Sequence, residues 1–182
     1  HPAASPRASA TVKIAAASCT QIQQTSPQPV WREIQNEMPD ALLLLGDNVY
    51  LDHNHHSNPV ALRAELHGLY ARQFAEPNFA ALIADLRARN APVLAIYDDH
   101  DFLGNNRYGG DHDPALALAA RSEFVAWFTP PQTGTDVYSF NPLGLVDVVV
   151  LDERFYRMSP DSSDSNRDAV LGARQWTWLE EA

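Results

Sequence analysis

The sequence has 182 residues, of which 45% are hydrophobic and 20% are charged, and this is the composition of a globular protein rather than a disordered one. The formal net charge is -10, from 13 basic and 23 acidic residues, so the chain repels nucleic acid and no nucleic-acid binding is expected. No apolar run approaches the roughly 20 residues that span a bilayer, so we expect no transmembrane helix. Cys19 is the single cysteine, which excludes an internal disulfide and a zinc site built from several cysteines.

Short apolar runs and helical patterns alternate along the chain. Residues 1–10 are rich in Ala, Ser and Pro and are expected to form a flexible N-terminal segment. The runs TVKIAAAS, ALLLL and PVLAIY, at residues 11–18, 41–45 and 92–97, are typical of buried strands. Helices are predicted at residues 29–37, at 58–86 in two pieces with the second starting at Pro77, at 115–128 and at 171–182.

Two further strands are predicted at residues 137–140 and 145–151, as a hairpin joined through Asn-Pro-Leu-Gly at 141–144. Strands that alternate with helices indicate an α/β layered fold with a largely parallel core sheet. Residues 159–168 are polar and are predicted to form a loop. The last predicted helix has no stop signal, so we expect the natural protein to continue and residues 11–182 to be the N-terminal part of a domain.

Chemically distinctive side chains directly follow three of the predicted strands. Cys19 follows the first strand, Asp47 and Tyr50 follow the second, and the sequence DDHD at residues 98–101 follows the third. Ligands bind beyond the carboxyl ends of strands in open α/β sheets, so these groups converge if the three strands are parallel neighbours. Crowded carboxylates and a thiolate repel one another unless a cation lies between them. Carboxylate and phenolate favour hard cations and thiolate tolerates a softer one, such as iron or zinc, so the pattern predicts a metal centre.

Four sequence motifs follow one another along the chain: LGDNVYLD at 45–52, IYDDHDFLGNN at 96–106, VVLDERFYR at 149–157 and LGARQWTWLE at 171–180. The sequence ASC at 17–19 precedes them. In this order they resemble the alkaline phosphatase D family, the PhoD-like phosphatases, which belong to the calcineurin-like metallophosphoesterases. The resemblance implies a layered αββα sandwich, of which this chain would form the N-terminal portion.

The resemblance further implies an enzyme that hydrolyses phosphate monoesters or diesters with a metal-activated water at a dinuclear site. Its substrates would be small-molecule or lipid phosphate esters. Three alternatives stay open: a phospholipase-D-type phosphodiesterase on the same site, a non-catalytic metal-binding fragment, and a module whose acidic loops bind calcium alone. The resemblance also implies an exported bacterial protein, periplasmic, cell-surface or secreted, which agrees with the missing initiator Met and the single cysteine.

Individual metal ligands are implied by the same resemblance. Cys19, Asp47 and Tyr50 would hold ferric iron, and Asp47 would bridge to a second cation, calcium or another divalent ion. Asp99 would be a further metal ligand, and Asn105 would contact a metal or the phosphate. Two metals held in this way can polarise a phosphoryl oxygen and stabilise an in-line displacement.

Catalytic roles are implied for three more residues. His100 would contact the phosphate and the leaving oxygen, Asp101 would orient His100, and Arg154 would pair two phosphate oxygens through its guanidinium fork. The family pattern needs further histidines in its C-terminal half, but no histidine follows Arg157. We therefore expect the remaining ligands to come from an absent part of the protein or from another chain. The histidines of DHNHHS at 52–57 are interpreted as exposed loop residues.

Overall fold

The computed structural model describes four segments of the chain, residues 11–51, 57–128, 136–159 and 168–182. The predictions for the N-terminal ten residues, for Asp52 and the three histidines after it, and for most of the loop at 159–168 lie outside the described residues. Within those four segments, no helix is both long enough and apolar enough to cross a bilayer.

Three parallel strands form the core sheet in the order β1-β2-β3. They are β1 (Ile14–Ala17), β2 (Ala41–Leu45) and β3 (Val93–Ile96). β1 is shorter than predicted because its pairing with β2 begins only at Ile14. The register brings the carboxyl ends of all three strands to one edge of the sheet, so the predicted arrangement of parallel neighbours is confirmed.

Helices connect the strands, as the sequence pattern predicts. Helix α1 (Val30–Asn36) joins β1 to β2, and helices α2 (Pro59–Ala75) and α3 (Pro77–Ala88) join β2 to β3. The Asn58 side chain caps α2 and the Glu76 side chain caps α3, each accepting a backbone N–H of the first turn, and each helix starts with Pro. The predicted division of this region into two helices is therefore confirmed.

The second half of the described chain contains two helices and a short 3-10 turn. The turn at Gly109–Asp111 lies between β3 and α4 (Pro114–Trp127). Helix α5 (Asp168–Glu181) is interrupted at Gly172, whose φ of 72° is not helical. A Cβ at Gly172 would lie 2.9 Å from the Tyr156 ring, so this close approach requires glycine.

The hairpin consists of β4 (Ser139–Pro142) and β5 (Asp147–Val150), which pair antiparallel. The turn predicted at 141–144 is wrong by two residues, because Pro142 pairs with Asp147 and the chain reverses between Leu143 and Val146. Leu145 and Val146 are apolar but are 58% and 42% exposed. Their apolarity suggested a strand, whereas the proline at the strand end and Gly144 at a φ of 83° place the turn there.

The hydrophobic core lies between the parallel sheet and the helices. Leu42 and Leu44 of β2 are buried in it, while Leu45 at the end of the strand is 55% exposed. The largest fully buried aromatic side chains of the core are Trp31, Tyr70, Phe79, Phe102 and Phe124. These observations confirm the predicted α/β fold with a parallel sheet, and the full αββα layering stays a prediction.

Candidate metal centre

The loops that follow β1 and β2 run side by side and carry Cys19 and Asp47. Thr20 N donates to Asp47 O over 2.9 Å, and Cys19 N donates to Gly46 O over 3.4 Å. Cys19 and Asp47 have φ angles of 59° and 52°, in the left-handed region that residues other than glycine rarely adopt. Strained backbone of this kind concentrates at functional sites. The loop geometry places both side chains at the same edge of the sheet.

Donor atoms of four chemical kinds surround the Asp47 carboxylate. The Cys19 Sγ atom lies 3.6 Å from Asp47 Oδ2, and the Tyr50 hydroxyl donates to the same oxygen over 3.1 Å. Asp47, Asp99 and His100 each offer a ligand atom, and these three atoms lie within 4.8 Å of one another. The structure therefore brings together five of the residues predicted from the sequence.

The electrostatics of Asp47 suit a bound cation. Its Oδ1 atom is buried and accepts no hydrogen bond from the part of the chain that the structure describes. Burial, followed by the nearby charge of Asp99, raises the pKa of Asp47 above 3.8. Burial, followed by the nearby charge of Asp47, raises the pKa of Tyr50 well above its usual 10. A cation would remove both penalties, and a thiol, a phenol, carboxylates and an imidazole together form a donor set that fits one.

Asp99 is held in its ionised form by its neighbours. The backbone N–H groups of Asn106 and His100 donate to its carboxylate over 2.5 Å and 3.0 Å. Burial alone would raise the pKa of Asp99, but these hydrogen bonds and the positive charge of Arg154 outweigh it and lower the pKa below 3.8. Asp99 is therefore a ready anionic ligand beside Asp47.

Asp101 lies beneath the cluster and joins its two acidic loops. It is fully buried, and its carboxylate accepts hydrogen bonds from the backbone N–H groups of Asp47, Asn48 and Asp98 and from the Asn48 side-chain amide. Burial raises the pKa of Asp101 to about 7, although these hydrogen bonds favour the ionised form. The bonds make Asp101 a positioning residue for Asp47, and its expected role in orienting His100 stays a prediction.

His100 and Tyr50 lie against each other. Their ring centroids are 4.3 Å apart and the ring planes are inclined by 31°. The Leu51 N–H donates to His100 O over 3.0 Å, which ties the backbone of the two loops together close to the rings. The imidazole is thus fixed next to the predicted ligands of the first metal.

Arg154 reaches the cluster from the loop after β5. Its Nε donates to Asp98 Oδ1, and its Nη2 lies 3.9 Å from Asp99 Oδ1. Asn105 is exposed, and it is the backbone of its neighbour Asn106 that reaches Asp99. The proposed contacts of Asn105 and Arg154 with a metal or a phosphate stay predictions.

Sequence reasoning missed the groups that hold this site in place. Asp98 anchors Arg154, and Asn48 links Asp101 to the carbonyl of Ile96 at the end of β3. Both residues adjoin predicted ligands in the motifs, which is the signal that could have marked them. Their partners, however, are 48 to 56 residues away in the chain, so no local pattern identifies them.

Comparisons with known proteins identify the family of this chain and a solved structure with a similar fold. The family model for PhoD-like phosphatases matches residues 14–182. A solved structure described as "Structure of PhoD" is similar in fold, with a TM-score of 0.61 and 21% sequence identity over 93% of this chain. The chain spans 38% of the length of that structure's chain. A search of curated proteins found no match. The match to the family model includes all four sequence motifs, and the chain belongs to the PhoD-like phosphatase family.

Proposed function

We propose that the complete protein hydrolyses phosphate esters at a metal centre built around Asp47. The observation that carries this proposal is the convergence of a thiol, a phenol, a second carboxylate and an imidazole on the Asp47 carboxylate. One buried oxygen of that carboxylate accepts no hydrogen bond from the described residues. Membership of the PhoD-like family supports it. The donor set and the family together favour a hydrolase over a module that binds calcium alone, because calcium prefers oxygen ligands and a thiolate is not among them.

The ligands divide by chemistry into two groups that share Asp47. Cys19, Asp47 and Tyr50 would hold ferric iron, since a thiolate and a phenolate suit that ion. Asp47 and Asp99, with Asn105 nearby, would hold calcium or another hard divalent cation. When bound, such a pair of cations polarises the phosphoryl oxygen and lowers the pKa of a water molecule.

The remaining residues bind and orient the substrate. The Tyr50 ring fixes the His100 imidazole, which would donate a proton or a hydrogen bond to the leaving oxygen. Arg154 is anchored through Nε on Asp98, and we assign its remaining N–H groups to the phosphate oxygens. Asp101 holds the two acidic loops at the separation that Asp47 and Asp99 need.

The proposed site also depends on the rest of the protein. A C-terminal remainder, or another chain, would supply the missing histidine ligands and the second half of the αββα sandwich. Substrates would be small-molecule or lipid phosphate esters, and the protein would act outside the bacterial cytoplasm. Both inferences rest on the family.

Turnover by the full-length protein tests the function. Wild-type protein should hydrolyse para-nitrophenyl phosphate or its bis-ester, and Asp47→Asn should lower kcat by about a thousandfold or more, about 4 kcal/mol of barrier. The matched control is Asp147→Asn, at an exposed position of β5, which should keep full activity. Full turnover by the Asp47 variant would overturn the proposal.

The identity of the metals is tested separately. Elemental analysis of the full-length protein should find iron, and a visible absorption band from tyrosinate bound to ferric iron should disappear in Tyr50→Phe. A colourless wild-type protein with full activity would overturn the ferric assignment and leave the hydrolase proposal standing.

A further inference from the structure

We propose that Tyr97 and Gln175 are positioning residues for Arg154 and act through the turn at Asp152. The proposal rests on the function proposed above, in which Arg154 pairs the phosphate oxygens. Within the described segments, neither residue is hydrogen-bonded to the cluster around Asp47, and each belongs to a different sequence motif from Arg154. The structure connects the three motifs through one buried carboxylate.

Asp152 fixes the direction in which Arg154 leaves the chain. It is fully buried, and its Oδ1 atom accepts the backbone N–H groups of Arg154 over 3.0 Å and of Phe155 over 2.9 Å. A side chain that accepts the N–H groups two and three residues ahead forms an Asx-type turn. Rotation of this turn would therefore move the Arg154 side chain as a whole.

Gln175 holds the backbone of Asp152 from α5. Its side chain is fully buried, Oε1 accepts Asp152 N over 2.7 Å, and Nε2 donates to Asp152 O over 2.8 Å. A side-chain amide that pairs with both backbone groups of one residue fixes the orientation of that residue. Nε2 also lies 3.1 Å from Leu171 O, which anchors the amide within its own helix.

Tyr97 holds the other carboxylate oxygen of Asp152. Its hydroxyl donates to Asp152 Oδ2, and its ring stacks on Phe102 at 4.9 Å between centroids. Tyr97 directly precedes Asp98, which accepts Arg154 Nε. One strand end thus holds both the turn beneath Arg154 and its guanidinium.

Gly109 holds the backbone of Arg154 through a second hydrogen bond. Its N–H donates to Arg154 O over 2.8 Å, and a Cβ at this position would lie only 2.0 Å from Phe155 O. The backbone of Arg154 is therefore fixed on both sides before any substrate arrives. Preorganisation of this kind reduces the ordering that phosphate binding has to supply.

Phosphate affinity of the metal-loaded full-length protein tests the proposal. Calorimetry with inorganic phosphate should show a loss of about tenfold to a hundredfold in Arg154→Ala, as expected for lost charge-assisted hydrogen bonds. Tyr97→Phe, which keeps the ring, should lose about threefold to tenfold, as should Gln175→Met, which keeps the side-chain size. The matched control is Tyr70→Phe, which removes a hydroxyl equally buried in α2 and should leave the affinity unchanged.

A double-mutant cycle separates positioning from general destabilisation. In the Arg154→Ala background, Tyr97→Phe should cause no further loss of phosphate affinity, because its effect passes through Arg154. Equal losses from Tyr97→Phe in the wild-type and Arg154→Ala backgrounds would overturn the positioning proposal, and so would equal effects of Tyr97→Phe and Tyr70→Phe on phosphate affinity. In either case, turnover by the wild-type protein would still support the hydrolase function. Wild-type protein that neither turns over esters nor binds phosphate would overturn both.

Discussion

Two buried polar side chains, Asp101 at the strand ends and Tyr70 in the helical core, show a difference between these two regions. At the strand ends, the Asp101 carboxylate accepts four hydrogen bonds from the two acidic loops. In the helical core, the Tyr70 hydroxyl is equally buried but has no hydrogen-bond partner in the described segments, and its ring packs among Phe124, Trp127 and Phe128.

This difference separates a region stabilised by apolar packing from the region of the proposed metal centre. Apolar packing tolerates one unbonded hydroxyl, because the surrounding rings contribute most of the free energy of burial. The strand ends keep ionisable groups close together on backbone with positive φ, which only specific hydrogen bonds can hold in place. Four predictions test this contrast.

The largest effect is expected for Asp101→Ala. It leaves the backbone N–H groups of Asp47, Asn48 and Asp98 buried without an acceptor, which should lower the free energy of unfolding by about 4 kcal/mol. Urea denaturation measures this loss, and elemental analysis should show that bound metal is lost with it. The control is Asp113→Ala, which removes the cap of α4 and should cost about 1 kcal/mol without loss of metal. Equal effects of the two variants would contradict the contrast.

Two glycine substitutions should change the stability of the protein in opposite directions. Gly46 has a φ of 97°, and a Cβ there would lie 2.5 Å from the Asp98 Cβ, so Gly46→Ala should destabilise the protein by about 3 kcal/mol. Gly68 lies inside α2 with nothing within 4 Å of its added Cβ, so Gly68→Ala should stabilise by about 1 kcal/mol. Thermal unfolding of both variants measures the difference, and a loss of stability in both would refute this interpretation of the strand ends.

The affinity for a divalent cation should decrease as the pH is lowered. The pKa of Asp47 is raised above 3.8 by burial, so its carboxyl holds a proton to a higher pH than an ordinary aspartate does. Metal binds the ionised carboxylate, so the affinity has its full value above this raised pKa and decreases as the pH falls through it. For this one carboxyl the decrease is at most about tenfold (about 1.4 kcal/mol) per pH unit. Calcium titrations of metal-depleted protein across the acidic range measure this, and an affinity that rises as the pH falls would contradict it.

The smallest effect is expected for Tyr70→Phe. Removing a buried hydroxyl that lacks a partner relieves its desolvation, so the melting temperature should rise, by an amount worth about 1 kcal/mol or less. Calorimetric melting of the full-length variant provides the measurement. A marked loss of stability would show that the hydroxyl is bonded in solution and would weaken the contrast between the two regions.

Sequence patterns predicted much of this architecture because they are local. Apolar runs of five to eight residues marked the parallel strands, and the proline and capping signals at Asn58 and Pro77 marked the two helices between β2 and β3. The positions of Cys19, Asp47 and DDHD directly after those strands predicted their convergence, which the parallel register confirms. The hairpin was the exception, because exposed apolar residues in its turn imitated a strand.

Hydrogen bonds between distant segments lay beyond such patterns. The carboxylate of Asp101 serves the loop after β2, the Gln175 amide holds Asp152, and Asp98 anchors Arg154. Each of these pairs spans more than 20 residues of chain. Which partner a buried polar group finds depends on how the elements pack, and no periodicity in the sequence records it.

By itself the sequence predicted the three parallel strands, the end of each to within one residue, and the donor types that follow those ends. Only the tertiary structure decided how these donors are held, with Asp101 beneath Asp47 and with Tyr97 and Gln175 around the turn that carries Arg154. The reason is physical: strand formation and turn placement depend on neighbours in the chain, whereas a buried polar group must be satisfied by whatever the packed fold brings within hydrogen-bonding distance.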